Sequence, residues 1–146
     1  AAVGAHLAGA PEEDVSLMQS FGRNAGITFQ MVDDILDVTA EQDLLGKPTG
    51  TDLKQKTPSL INLLWIDSTD RLAVEYLAKE TVSETEAREL ALHLRNSPIV
   101  RDAKAMARSY ADQAKNDLAE LSSPSLVSEV RESLSALVDY TLERFS

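Results

Sequence analysis

Apolar residues recur at helical spacing along nearly the whole chain, and breakers divide that pattern into segments. Residues 1–8 are small and apolar, and Gly9-Ala10-Pro11 ends them. Glu12, Glu13 and Asp14 suit the first turn of a new helix, where acids meet the positive end of the helix dipole. That helix runs on through Val15, Leu17, Met18, Phe21, Ala25, Ile27 and Phe29 to Val38. Its interior glycines, Gly22 and Gly26, stand four apart on one face, which predicts the close approach of a neighbouring helix. A polar stretch rich in Gly, Thr, Asp and Lys then reads as a loop over 39–56. Loops of that length in compact domains are usually functional or disordered.

Thr57 as N-cap with Pro58 as first helical residue predicts a helix continuing through Ile66. Further helices are expected over 70–79 and over 83–95, the latter opened by a capping box of Ser83 and Glu86. Asn96-Ser97-Pro98 breaks the pattern, and Val100, Ala103, Ala107, Tyr110, Ala114 and Leu118 mark a helix over 99–121. After Ser122-Ser123-Pro124, residues 126–145 form a last helix with Leu134, Leu137, Val138, Leu142 and Phe145 as its stripe. Nothing alternates with period two, so the expected fold is all-α and a single domain over 1–146.

Within this frame one segment breaks the amphipathic rule. Phe-Gln-Met-Val-Asp-Asp-Ile-Leu-Asp, residues 29–37, sets acids among apolar residues. On a helix Asp33 and Asp37 are one turn apart and Asp34 and Asp37 are three apart, so all three can share a face. The nearest cations in sequence are Arg23 and Lys47, too far for i,i+4 pairs. A solvated acidic face would mix its charges. Clustered carboxylates in an apolar setting instead call for a positive partner, and Mg²⁺, which binds through a few carboxylates plus substrate phosphate, suits them. Cationic side chains should converge on the same anion. Lys47 follows Gly46, and Lys56 lies in the same stretch; Lys54 reads as a surface residue. Gln30, three residues before Asp33, places an amide on the acidic face, suited to a phosphate or a metal-bound water.

Bulk properties narrow the function. The 146 residues carry a net charge of −10, which disfavours a nucleic-acid partner. There is no cysteine for a disulfide, a thiolate metal site or a thiol nucleophile. No apolar run is long enough for a transmembrane segment and no signal peptide is visible, so a cytoplasmic protein is expected. The first residues lack a Met and read as helix interior, which suggests a cut upstream.

Two spaced patterns carry a resemblance. Gly22, Gly26, Phe29, Gln30, Asp33, Asp34 and Asp37 give G-x-x-x-G-x-x-F-Q-x-x-D-D-x-x-D, and Gly46, Lys47, Gly50, Asp52 and Leu53 give G-K-x-x-G-x-D-L. Together they resemble the second aspartate-rich motif of trans-isoprenyl diphosphate synthases, the polyprenyl synthetase family. The resemblance implies an all-α isoprenoid-synthase bundle around a deep cavity, of which this chain is the C-terminal half, dimeric in the full-length protein. It implies Mg²⁺-dependent head-to-tail condensation of an allylic diphosphate with isopentenyl diphosphate. Asp33 and Asp37 would ligate metal, Asp34 directly or through water, and Gln30, Lys47 and Lys56 would bind the allylic diphosphate. The family's D-L-x-x-G-K-x-T-x-P becomes Asp52-Leu53-Lys54-Gln55-Lys56-Thr57-Pro58-Ser59-Leu60-Ile61, with a lysine in the glycine's place. The family's first aspartate motif has no counterpart in these residues, so the chain is expected to be inactive alone. A non-catalytic partner subunit is the alternative, disfavoured because such subunits tend to lose the aspartates. A terpene cyclase would need a different second metal motif. His6 and His93 read as structural or surface residues without ligand partners, Trp65 and Met31 as core or cavity lining, and Arg144 as a helix-end cation.

Overall fold

The computed structural model describes residues 1–40, 49–122 and 128–145, and its regular structure is helical throughout, with no strand among the described residues. The helices are α1 (Ala2–Leu7), α2 (Glu12–Thr39), α3 (Thr51–Gln55), α4 (Leu60–Ile66), α5 (Arg71–Ala78), α6 (Glu84–Arg95), α7 (Pro98–Glu120) and α8 (Ser128–Glu143). Two compact units share them: residues 1–30 with 106–144, and residues 31–105 with 145.

In the first unit the predicted stripes meet. Met18 and Phe21 of α2, Ala111, Ala114 and Leu118 of α7, Leu121 just beyond it and Val138 of α8 form the core, with Ala5, Leu17, Ala25, Leu134 and Leu142 packed around it. Close approach comes from the alanines of α7: Ala107, Ala111 and Ala114 are fully buried. The expected close approach is found at one of the two glycines: a Cβ on Gly22 would stand 3.3 Å from the Cβ of Ala1, tighter than ordinary packing, whereas Gly26 has open space. Buried polar groups pair across this unit. Asn24 donates to Asp117 Oδ2 at 3.0 Å, and Asp14 Oδ1 accepts from both the backbone and the hydroxyl of Ser122 at 3.1 Å.

The second unit is built on short helices. Val32, Ile35 and Val38 of α2 are buried, as are Leu53, Ile61, Trp65, Tyr76, Ala91 and Leu94. Trp65 and Tyr76 stack at 5.1 Å between centroids, and the Tyr76 hydroxyl donates to the Leu53 carbonyl at 3.1 Å. Asp70 caps α5 through the Leu72 amide at 2.9 Å and accepts from Trp65 Nε1 at 2.9 Å. His93 Nε2 lies 2.7 Å from the same carboxylate. His93 is thus structural as expected, but its acidic partner stands 23 residues away, beyond any helical spacing. The capping box of Ser83 and Glu86 forms as predicted.

Two boundaries differ from expectation. The stretch read as loop contains α3, and α4 begins at Leu60 with Ser59 as cap, accepting from the Asn62 amide, where Thr57 and Pro58 were expected. Gly50 starts α3 at φ 81°, and a Cβ there would stand 2.7 Å from the Ala87 carbonyl oxygen, where α3 packs on α6. Gly50→Ala should therefore cost about 2–4 kcal/mol in denaturant unfolding, from left-handed strain plus overpacking. Gly26→Ala, with room for a methyl inside a helix, should instead stabilise by about 0.5–1 kcal/mol.

Candidate functional site

The last turns of α2 carry the acids, and each is used differently. Asp34 is buried, and its Oδ2 accepts the Leu60 amide at 2.7 Å, so it grips the first residue of α4. Asp37 is half-buried; Oδ1 accepts Thr51 N–H at 3.1 Å and Oδ2 accepts Asp52 N–H at 3.0 Å. The Asp37 carbonyl accepts Gly50 N–H at 2.8 Å. Both carboxylates thus accept amides at helix starts, which have no partner within their own helix. Asp33, also half-buried, is one helical turn before Asp37.

A fourth acid joins them. Asp52, on the first turn of α3, has its carboxyl pushed up to about 6 from 3.8, by burial first and then by the charges of Asp37 and Asp34; a hydrogen bond from Thr57 works the other way. The backbone bonds of Asp34 and Asp37 bring Asp52 into their field. The G-x-D spacing held the signal for Asp52, but nothing in the sequence showed that it adds to the charge of α2.

The predicted diphosphate ligands fare differently. Gln30 is exposed on α2, three residues before Asp33. Lys47 lies outside the described residues. Lys56 has another employment: its ammonium donates to the Leu77 carbonyl at 3.3 Å and to the Lys79 carbonyl, and sits 5.1 Å over the Tyr76 ring. Carbonyls at a helix C-terminus attract a cation, and a ring face adds to it. Lys56 also takes a left-handed backbone, φ 55°, which fits the glycine of the resemblance at this place. Lys54 pairs with Glu84 at the surface, at 3.4 Å. A cation that spacing could not reveal is Arg95 of α6, whose Nη2 donates at 3.3 Å to the Ala40 carbonyl just past α2.

In the first unit α2 and α8 border a cavity of about 620 Å³, lined by Gly26, Phe29, Leu137, Val138, Tyr140 and Arg144 among others. The Arg144 guanidinium lies 5.3 Å over the Phe29 ring. Phe29 is thus half-exposed cavity lining, and Arg144, directly after the end of α8 as expected, also lies over its ring.

Carboxylate oxygens are hard donors of the kind a divalent cation takes, and backbone bonds hold Asp52 next to Asp37. Among the described residues no three or more acids or histidines stand together so as to hold a metal ion by themselves. Mg²⁺ usually keeps several waters and relies on substrate phosphate as well as carboxylates, so it does not need an all-protein cage.

A raised folded-state carboxyl contributes stability that is complete below pH 3.8 and lost as pH rises through about 6. Asp52→Asn should therefore stabilise the metal-free chain at pH 7.5, by about 1 kcal/mol once half-exposure is discounted, and change nothing at pH 3.5. Thermal unfolding at the two pH values checks it.

Comparison with known proteins bears on this arrangement. A family model described as polyprenyl synthetase matches residues 1–94. The chain is similar to geranylfarnesyl diphosphate synthase of Aeropyrum pernix, 33% identical over 99% of this chain and 45% of that protein. It is also similar to nonaprenyl diphosphate synthase of Mycobacterium tuberculosis, 35% identical over 97% of this chain and 42% of that protein. In structure it is similar to a geranylgeranyl pyrophosphate synthase from Corynebacterium glutamicum complexed with calcium and isoprenyl diphosphate, with TM-score 0.83 and 27% identity over 99% of this chain and 45% of that one. The chain therefore spans a little under half the length of these relatives, and along that span its sequence, its all-α fold and its aspartate-bearing helix make it a member of the polyprenyl synthetase family.

Proposed function

We propose that this chain supplies one aspartate-rich side of a prenyltransferase that condenses an allylic diphosphate with isopentenyl diphosphate, head to tail. The observation that carries the reading is that backbone bonds hold Asp52 against Asp37, with Asp33 one turn away on α2. The solved relative in complex with calcium and isoprenyl diphosphate supports a hard cation and a diphosphate as its occupants.

Asp33, Asp37 and Asp52 are the residues we assign to Mg²⁺, which when bound supplies positive charge against the departing diphosphate. Asp34 holds α4 in place, so its carboxylate serves the site through the backbone. Gln30 offers an exposed amide to a phosphate oxygen, and Lys47 is assigned an ammonium contact to the same group. Lys56, committed to the end of α5, is left out of the set. These 146 residues hold one acid-rich helix of this kind, so we expect them to bind a metal–diphosphate pair without turning substrate over.

Titration calorimetry of the chain with inorganic pyrophosphate tests this. Binding should require Mg²⁺ and weaken at least about tenfold in Asp33→Asn. Binding that is equally strong without the metal, or untouched by that change, would remove the assignment.

A further inference from the structure

Asn62, on the first turn of α4, is almost wholly buried. Its Nδ2 donates twice, to the Thr57 carbonyl at 2.7 Å and to the Asp52 carbonyl at 3.3 Å. Both carbonyls already have a backbone donor: Ser59 N–H reaches Thr57 at 2.8 Å, and Thr57 N–H reaches Asp52 at 3.0 Å. The Asn62 Oδ1 is buried without a hydrogen-bond partner among the described residues. A buried amide with one oxygen unsatisfied, serving acceptors that are already served, adds little net stability, because the unmade bond offsets the made ones. A buried polar group that stability does not explain calls for another reason.

The two carbonyls name that reason. Asp52 is the acid of α3, and the Thr57 side chain hydrogen-bonds the Asp52 carboxylate. Asp37 fixes the Asp52 N–H, and Asn62 fixes the Asp52 carbonyl and the backbone of the threonine that orients its carboxylate. The geometry points to Asn62 as a positioning residue: it sets where the Asp52 carboxylate stands beside Asp34 and Asp37, and so sets the affinity of the acids for a divalent cation. Outer groups that orient ligands are commonly worth 10–100-fold in metal affinity. This inference rests on the reading of those acids as a cation site.

The test titrates the 146-residue chain with Mn²⁺ in the presence of inorganic pyrophosphate, following affinity calorimetrically and fold by circular dichroism. Asn62→Leu, close in volume, should raise the Kd about tenfold while the thermal midpoint changes little. On an Asp52→Asn background the same change should have almost no further effect, since Asn62 acts through Asp52. Thr57→Val, which removes only a hydroxyl from a partly exposed turn, should weaken binding several-fold with the same dependence on Asp52, and it carries the test should the Leu variant not fold. If Asp52→Asn weakens binding and Asn62→Leu and Thr57→Val do not, or if their effects add in full to it, the positioning role is overturned and the cation site stands. If the unaltered chain binds no Mn²⁺–pyrophosphate, the cation site falls and the inference falls with it.

Discussion

Backbone N–H groups at the starts of two short helices, Thr51 and Asp52 on α3 and Leu60 on α4, end on the carboxylates of Asp37 and Asp34. Helices of five and seven residues are marginal in isolation, and their first amides have no partner within the helix. Carboxylates on α2 supply those partners with charge-assisted bonds, which are about twice as strong as neutral ones. The acids that look from the sequence like ligands waiting for a metal are therefore also the anchors of the segment that follows them. Much of what surrounds these acids depends on this anchoring.

The same anchoring concentrates charge. Drawing the first turn of α3 onto Asp37 carries the Asp52 side chain along with it, and burial beside two carboxylates raises its carboxyl to about 6. A fold that needed only stable helices would have a neutral residue there. Asn62 fits the same pattern, since it closes the turn between α3 and α4 at the cost of a buried, unpaired oxygen. Local unfavourable terms of this kind collect at functional sites, where a ligand offsets them.

The sequence revealed what depends on short-range rules. Helical periodicity located most of the helices to within a residue or two, and the capping box of Ser83 and Glu86 was legible because both halves lie within one turn. The run at Asp33, Asp34 and Asp37 stood out because acids among apolar residues break the amphipathic pattern. What escaped was set by contacts far apart in the chain. Residues 51–55 read as loop because five polar-rich residues carry no period, and their helix is held by Asp37, 14 and 15 residues away. Lys56 lies near the acids in sequence, and the carbonyls that hold it, of Leu77 and Lys79, stand 21 and 23 residues away. The paired glycines of α2 suggested a close contact at both; Gly22 has one, with Ala1, while Gly26 faces open space and the buried small residues of the core are alanines of α7. The partners of His93 and Arg95 lie 23 and 55 residues away, where no spacing rule reaches.

In the proposed site Asp37 both starts α3 and receives a divalent cation, while Asp34 starts α4. Amide NMR of the chain during addition of substoichiometric Mn²⁺ with pyrophosphate tests it directly, because the paramagnetic ion broadens only nearby signals. Selective broadening is expected at residues 33–37 and 50–57. Broadening centred on other acids, such as Glu84 and Glu86 of α6, or no selective broadening at all, would contradict it.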